Sequence, residues 1–405
     1  MHKRDSTSHH CPRNLARVQV ISAVTKPLAG LKVLDFSGLL PGPYASMLLA
    51  DLGAEVVRVE APERDDLVRV MKPQINGQSA AFCYLNRGKR SITLDLKHAD
   101  AAATVKQLIQ HYDIVIEQFR PGVMARLGLG YATLAEDKPD LIYCSISSYG
   151  QTGDYAARAG HDMNFLSLAG AMSYSGRKES GPCPSGIQIG DIAGGSQPAV
   201  IAILAAVIQR QNTGQGTHID ISMADQSFAL QALVAPSALN DGDEESYETH
   251  LLNGGGIYDY YRTSDNRYMA VASLEPQFRQ RLLETLGLAN LYNLKDSELK
   301  PHIERRFSSQ SMAYWTEKFS AVDACVEPVL TLTEASQHPS FKSRELIKVG
   351  AAGDRQIAPP TQFNFQPNEL PSAAPVKGAH TEQVLAAVGF SDNEINDCKI
   401  NGLFG

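Results

Sequence analysis

The stretch LKVLDFSGLLPGPYASMLLADLGAEVVRV, residues 31–59, decides how the chain folds. Six mostly apolar residues at its start are typical of a buried strand, and a polar loop follows at residues 37–43. Residues 44–52 have helical periodicity that ends at Gly53, and a second β-branched run occupies residues 54–59. A strand, a helix and a strand in this order predict the first right-handed crossover of an open parallel sheet.

The same alternation continues towards the middle of the chain. Residues 98–112 have helical periodicity, and residues 113–117 and 141–147 are typical of buried strands. The predicted fold class is α/β, with a large domain built on an open, Rossmann-like, doubly wound sheet. Ligands of such sheets bind beyond the carboxyl ends of the strands, so we expect a site in the loops at residues 36–43, 59–65, 117–123 and 147–153.

The second half of the chain predicts the end of this sheet and then a smaller α+β domain. Residues 197–210 favour a helix, 218–223 a strand and 224–239 another helix, before an acidic, glycine-rich stretch at 240–256. A hairpin, three helices and a strand then follow, and residues 350–378 have little periodicity. These predicted elements, with a last short helix, cover residues 257–262, 268–272, 276–286, 297–307, 312–319, 324–330 and 381–389.

This pattern divides the chain into five parts. We expect a tail over residues 1–26, a large α/β domain over 27–225 and a linker over 226–256. A small domain over 257–332 follows, and the C-terminal segment over 333–405 is expected to return to the large domain.

Composition limits the classes of function. The chain has 405 residues, 43% of them hydrophobic, and a net charge of −7, which argues against a nucleic-acid partner. No apolar run approaches the roughly 18 residues that cross a bilayer, and the N-terminal tail lacks the apolar core of a secretory signal. The cysteines have no metal-ligand spacing, so we expect reduced thiols, no metal and a cytoplasmic protein; they are Cys11, Cys83, Cys144, Cys183, Cys325 and Cys398.

The chain lacks the glycine-rich phosphate-binding motif of dinucleotide-binding folds. No Gly-x-Gly-x-x-Gly follows the first strand, and Gly128-Leu129-Gly130 lacks the third glycine, so a dinucleotide fingerprint is absent. A basic stretch at residues 85–91 could instead grip a phosphate-bearing ligand, or it could be a solvated surface loop. Arg58, Arg120 and Arg126 add positive charge to the same half of the chain.

Two later segments each place one titratable group beside a glycine at the start of a predicted helix. His161 follows Gly160, and Asp191 follows Gly190. An imidazole can take and give a proton at neutral pH, whereas a carboxyl group needs burial before it becomes a useful acid. The spacing alone leaves two interpretations, an acid/base pair or two ordinary surface and capping residues.

The chain resembles the family III CoA-transferase (CaiB/BaiF-like) family over most of residues 27–390. Three further segments resemble its α-methylacyl-CoA racemase branch. The motifs that carry the general resemblance are LKVLDF at 31–36, PGP at 41–43, DLGAEVV at 51–57, GKRS at 88–91 and LDLK at 94–97. Those of the racemase branch are AGHDMN at 159–164, Gly190-Asp191 with Gly194-Gly195, and LEPQF at 274–278.

The resemblance implies an acyl-CoA substrate, no other cofactor, and an interlocked homodimer in which the large domain binds CoA. It makes His161 and Asp191 the acid/base residues on opposite faces of the substrate α-carbon, with Glu275 of the partner chain orienting the histidine. It also implies CoA contacts by Arg58, Leu94, Asp95, Leu96, Lys97, Arg120, Arg126, Gly160, Asp162, Met163, Asn164 and Phe165.

The chain departs from the racemase pattern at two positions, and the family offers a second reaction. Ala61 stands where racemases often have Arg, and Phe165 where many have Tyr. We expect a racemase of 2-methylacyl-CoA thioesters that works through an enolate. The alternatives are a CoA-transferase with a covalent acyl intermediate on Asp191, and a non-catalytic CoA-binding relative.

Overall fold

In a computed structural model that describes residues 26–240, 242–366 and 368–404, the largest element is a six-stranded parallel sheet. Its strands are β1 (Lys32–Asp35), β2 (Glu55–Glu60), β3 (Lys89–Thr93), β4 (Ile114–Glu117), β5 (Ile142–Ser147) and β6 (Thr217–Ser222). The spatial order is β3-β2-β1-β4-β5-β6, and every neighbouring pair runs parallel. The predicted α/β fold is therefore confirmed, and the strand order reverses between β1 and β4.

Helices cover both faces of this sheet. They are α1 (Pro41–Asp51), α2 (Ala80–Asn86), α3 (Ala101–Ile109), α4 (Tyr131–Asp137), α5 (Asp162–Leu168), α6 (Gln197–Thr213) and α7 (Met223–Ala229). On one face, α1 and α6 pack on side chains such as Val33 and Ile116; on the other, α3 packs on Leu34 and Val115. The side chains alternate between faces along each strand, so apolar runs such as β1 and β4 are buried on both sides.

A second, antiparallel sheet follows in the chain. Its strands β7 (Asp259–Arg262), β8 (Tyr268–Val271) and β9 (Val326–Pro328) lie in that order. The helices α8 (Pro276–Leu286), α9 (Asp296–Phe307) and α10 (Met312–Phe319) pack on it around a core that includes Trp315.

The C-terminal segment lies against the edge of the large sheet. Its helices are α11 (Thr381–Ala387) and α12 (Asp392–Ile400). The backbone N–H of Thr93 donates to Oγ1 of Thr381 at 3.0 Å, and Oγ1 of Thr93 donates to the carbonyl of Phe404 at 2.6 Å. These bonds satisfy polar groups at the end of β3 that face away from β2.

The remaining elements are short. The short helices are Leu67–Val70, Val123–Arg126, Ala171–Ser173, Ile189–Asp191, Ala235–Ala238, Ala289–Leu291, Leu332–Ala335 and Pro339–Ser343, and Ile192–Ser196 is a π-helical turn. Three two-stranded ribbons pair Gln74–Ile75 with Gln78–Ser79, Gly176–Arg177 with Gly181–Pro182, and Ile347–Val349 with Arg355–Ile357.

The structure corrects several predicted elements. The single helix predicted over 224–239 is two pieces, α7 and Ala235–Ala238, because Pro236 has no backbone N–H to continue a helix. The aperiodic segment 350–378 contains the strand Arg355–Ile357, and α12 follows the helix predicted to be the last. The predicted tail lies outside the described residues except for Lys26.

One expectation about membrane segments also needs correction. The continuous helical stretch Ile189–Thr213 has a mean hydropathy of 1.6 and is long enough to cross a bilayer. Within it, Ala199 and Ile203 are fully buried against the large sheet, whereas Ile201 and Ile208 are 68% and 60% exposed.

Candidate functional site

A cleft of about 630 Å³ opens at the carboxyl ends of the parallel strands, where the strand order reverses. This is the position at which doubly wound sheets bind ligands, so three of the four loops predicted for the site contribute to the cleft. Its lining includes Phe36, Ser37, Gly38 and Leu39 after β1, Ala61, Arg64 and Asp65 after β2, Leu94, Asp95, Leu96 and Lys97 after β3, and Gln118 and Phe119 after β4.

The cleft gathers part of the predicted CoA-binding set. Arg58 and the run from Leu94 to Lys97 line it. Leu94 is buried, Asp95 and Leu96 are half-buried, and Lys97 is exposed. Apolar and charged groups therefore lie side by side, as an adenine ring beside phosphates would require.

The side chain of Arg58 is buried and bonded to other residues of the protein. Arg58 is 2% exposed, its Nη1 donates to Oδ1 of Asn86 at 2.7 Å, and it forms an ion pair with Asp66. Asp66 also accepts the backbone N–H of Leu39 at 3.0 Å, which joins β2 to the loop after β1. Asp66 carried no signal in the sequence, because only the folded chain brings it to both Arg58 and Leu39.

Arg120 and Arg126 lie on the surface at the end of the cleft. Both are exposed, and their chain neighbours Phe119 and Leu127 line the cleft. Their guanidinium groups are free to reach a ligand phosphate that projects from it.

The basic stretch at residues 85–91 has neither of the two predicted roles. Nε and Nη2 of Arg87 donate to the carboxylate of Asp51 at 3.0 and 2.7 Å, and both side chains are buried. Lys89 belongs to β3, and its Nζ donates to the carbonyl of Pro43 at 2.9 Å and lies 3.6 Å from Oδ2 of Asp35. Burial lowers the pKa of Lys89 to about 7. The charges of Arg87 and Lys89 are therefore bonded to groups inside the protein, and neither residue lines the cleft.

His161 stands at the N-terminal end of α5, after the carboxyl end of β5. Its backbone N–H donates to Oδ1 of Asn164 at 3.0 Å, and its side chain is exposed. Phe165 is fully buried against the ring of Tyr149, which anchors the helix. Met163, by contrast, is 56% exposed on the same turn.

Asp191 is brought next to the His161 segment. Its backbone N–H donates to Oδ1 of Asp162 at 3.1 Å. Burial and the neighbouring Asp162 charge raise the pKa of Asp191 to about 6, whereas a positive charge on His161 lowers it. The two segments that carry the candidate acid/base residues are therefore in contact through Asp162 and Asp191.

The Asp191 segment is also joined to the loop that lines the cleft. The π-helical turn after Asp191 ends at Ser196, whose Oγ donates to the carbonyl of Pro41 at 2.7 Å. Pro41 opens α1, directly after the cleft residues that follow β1. A ligand in the cleft can thus extend towards His161 and Asp191 along one edge of the sheet.

Glu275 lies apart from this pair. It occupies the N-cap position of α8 without a side-chain capping bond, and its side chain is exposed. Within the described part of a single chain, no hydrogen bond or ion pair joins Glu275 to His161.

A polar cluster of side chains from β4, β5 and β6, in which Glu117 and Ser145 are buried and His218 is exposed, was not predicted. The hydroxyl of Ser145 lies 3.0 Å from Nε2 of His218 and donates to Glu117. Burial raises the pKa of Glu117 to about 7. A strand that ends in a carboxylate is the only sequence signal for this cluster.

Among residues 26–240, 242–366 and 368–404, no group of three or more His, Cys, Asp or Glu side chains is arranged to hold a metal ion.

Comparison with known proteins shows the family to which this chain belongs. A family model described as CoA-transferase family III matches residues 28–381, and the chain belongs to that family. The human protein named alpha-methylacyl-CoA racemase is 36% identical over 379 residues, 91% of this chain and 95% of the relative. The resemblance inferred from the motifs is confirmed.

Relatives with a different reaction are also found. Succinate–glutarate CoA-transferase from Agrobacterium fabrum is 32% identical over 383 residues, 89% of this chain and 95% of the relative. The crystal structure of a CAIB/BAIF family protein from Brucella suis has a TM-score of 0.79 at 29% identity, covering 90% of this chain and 100% of that chain. The protein is thus an enzyme of the superfamily that unites family III CoA-transferases and racemases.

Proposed function

We propose that this enzyme is a racemase of 2-methylacyl-CoA thioesters. The observation that supports it best is the bond between the His161 and Asp191 segments, formed by the backbone N–H of Asp191 and Asp162, together with the raised pKa of the Asp191 carboxyl group. Two such groups, one on each face of a carbon, are what stereochemical inversion next to a thioester requires.

The reaction begins when one group removes the α-proton of the thioester. The electron pair of the broken C–H bond moves to the carbonyl oxygen and forms an enolate, and the other group returns a proton to the opposite face. In one direction His161 is the base and protonated Asp191 the acid, and in the other direction the roles exchange. A pKa of Asp191 near 6 makes both of its forms accessible close to neutral pH.

We assign CoA to the cleft between the ends of β1 and β4. Arg58 and residues 94–97 would hold the nucleotide end, and Arg120 and Arg126 its phosphates. Gly160 and the residues at the start of α5 would follow the thioester arm, and backbone N–H groups there would stabilise the enolate oxygen. Because the ring of Phe165 is fully buried, its contribution would come from its backbone. The proposed reaction needs no cofactor, because CoA is part of the thioester substrate.

The proposal includes a homodimer that supplies Glu275 to the partner's site. Glu275 has no bond to His161 within the described part of one chain, so a second copy would have to bring it there. Exposed apolar side chains are available for such an interface, among them Ile201, Ile208, Leu233 and Leu239. We place this dimer in the cytoplasm and keep the five-part division of the chain, with the site between the large and small domains.

A CoA-transferase is the second candidate. The half-buried carboxyl group of Asp191 would attack an acyl-CoA, expel the CoA thiolate and form a mixed anhydride on the enzyme. The relation to succinate–glutarate CoA-transferase supports this reading.

Incubation of the enzyme with a chiral 2-methylacyl-CoA in deuterated water separates the two reactions. A racemase incorporates deuterium at C2 and loses optical purity without a second carboxylic acid. A transferase leaves C2 unlabelled and moves CoA to an added acid such as glutarate. That second result would overturn the proposal.

The variants His161→Ala and Asp191→Asn test the assigned residues. Each should abolish racemisation, a loss of at least about 100-fold, because each removes one general acid or base. CoA binding to the cleft should persist in both variants. A variant that racemises at nearly the native rate would disprove the role of its residue.

A further inference from the structure

Asp162 connects the two halves of the candidate acid/base pair. It is the residue after His161 and the first residue of α5, and its Oδ1 accepts the backbone N–H of Asp191 at 3.1 Å. This bond joins the start of one helix to the start of the long helical stretch that leads into α6.

Close packing around Gly190 supports the same contact. A Cβ at Gly190 would lie 3.2 Å from both Oδ1 and the carbonyl oxygen of Asp162, and 3.3 Å from Cδ2 of Phe165. These distances are tighter than most Cβ contacts, so the glycine before Asp191 lets the two segments approach without displacing Asp162 or Phe165.

We infer that Asp162 is a positioning residue, whose carboxylate fixes Asp191 relative to His161 and keeps a negative charge beside it. This inference rests on the proposed racemisation, and it differs from the contact with the thioester arm that the family resemblance implies for Asp162. A positioning residue acts through Asp191 and need not touch the substrate.

The charge of Asp162 has a chemical consequence. A neighbouring carboxylate disfavours ionisation of Asp191, and it adds to the effect of burial in raising the pKa of that group. Racemisation needs the His161–Asp191 pair to hold one proton in total, because one member must accept while the other donates. The Asp162 charge brings the proton affinity of the carboxyl group closer to that of an imidazole, so the single proton can reside on either member.

The variant Asp162→Asn separates charge from geometry. Its amide oxygen can still accept the N–H of Asp191, but the charge is lost. The ionised form of Asp191 is then favoured, so the acidic limb of kcat/KM for racemisation should move to lower pH, by about one unit. The maximal rate should stay within about threefold of native, because a geometry held by the same bond is retained.

Asp162→Ala removes both the charge and the acceptor, and Asp392→Asn is the matched control. We expect Asp162→Ala to lose at least about tenfold in kcat, with the Kd for CoA unchanged. Asp392 is an exposed carboxylate in α12, so its replacement makes the same change in net charge away from the site and should leave the pH profile unaltered.

Three results would overturn the inference. They are an unshifted acidic limb in a folded Asp162→Asn enzyme, an equal shift in Asp392→Asn, and a raised Kd for CoA with unchanged kcat in Asp162→Ala. The melting temperature and the CoA affinity of each variant report whether it is folded. Failure of the proposed function is distinguishable, because then the native enzyme itself incorporates no deuterium at C2.

Discussion

The hydroxyl of Tyr149 lies so close to Gly160 that a Cβ at residue 160 would be 2.6 Å from its oxygen. The ring of Phe165 would be 2.8 Å away on the same side. Both aromatic rings pack edge to face, with centroids 5.7 Å apart. The backbone before His161 therefore packs closely against these two aromatic rings. It can lie there only because Gly160 has no side chain.

Gly160→Ala should displace His161 and lower kcat for racemisation at least about tenfold, since small misplacements of a catalytic group are costly. The measurement is the rate of deuterium incorporation at C2. Tyr149→Phe removes one of the two collisions, so the double variant should recover part of the loss. A single Gly160→Ala variant with native kcat would show that the aromatic surface does not position His161.

Mixed dimers test whether Glu275 acts on the partner's His161. His161→Ala and Glu275→Ala homodimers should each be nearly inactive. If the glutamate acts across subunits, refolding the two variants together creates dimers with one intact site, and racemisation should return to a substantial fraction of native.

The two arrangements of Glu275 give opposite results. If Glu275 serves the histidine of its own chain, each site of a mixed dimer carries one defect, and mixing restores nothing. Mixing His161→Ala with an Asp191→Asn, His161→Ala double variant provides the control, because no site of that mixed dimer has an intact His161 in either arrangement and its activity should stay at the background level.

The buried carboxyl group of Glu117 makes the folded protein less stable at alkaline pH. Its pKa is raised to about 7 in the folded state, against about 4.3 for an unfolded chain, so the folded state binds the proton more tightly between those values. The free energy of unfolding therefore falls as pH rises through this window and stays lower above it.

Glu117→Gln should remove this penalty. Relative to native, its free energy of unfolding should rise by up to about 3 kcal/mol at pH 8 and change little at pH 4, as measured by urea denaturation. The amide oxygen can still accept the N–H of Phe119, which donates to Glu117 at 2.8 Å. Glu317→Gln, at an exposed position in α10, is the control and should have no pH-dependent effect.

Arg120 should contribute to CoA affinity and not to chemistry. Arg120→Ala should raise KM for the acyl-CoA about tenfold, equivalent to about 1.4 kcal/mol, with kcat nearly unchanged. The effect should shrink at high salt, because the side chain is exposed. Arg305→Ala, an exposed position in α9, should leave KM unchanged. A fall in kcat alone would contradict this assignment.

Local periodicity was sufficient for much of the fold. The helices predicted at 276–286 and 312–319 coincide with α8 and α10, because each has an apolar face and a clear start. The strand β3 was missed, because Arg87 and Lys89 resemble a solvated loop. Their buried partners Asp51 and Asp35 are distant in the sequence, so only the folded chain shows that these charges are neutralised.

The candidate site combines motif-based and fold-based observations. His161 and Asp191 are assigned from motifs, because their residue types and neighbouring glycines suit acid/base chemistry, and their roles remain predictions. The bond between Asp162 and Asp191, the ion pair of Arg58 with Asp66, and the cluster around Glu117 each join residues of different elements of the fold. Such contacts leave no periodic trace in a single sequence.

The π-helical turn Ile192–Ser196 sets the direction in which Asp191 points. Such a turn holds one residue more than an α-helical turn, and each residue of a helix rotates the chain by about 100°. Shortening the turn by a single residue would let Ile189–Thr213 become a regular helix, and the carboxyl group would swing roughly a quarter of a revolution away from the imidazole. The additional residue of the π-helical turn therefore sets the orientation of Asp191 about the helix axis. We expect catalysis to tolerate substitutions within the turn far better than an insertion or a deletion.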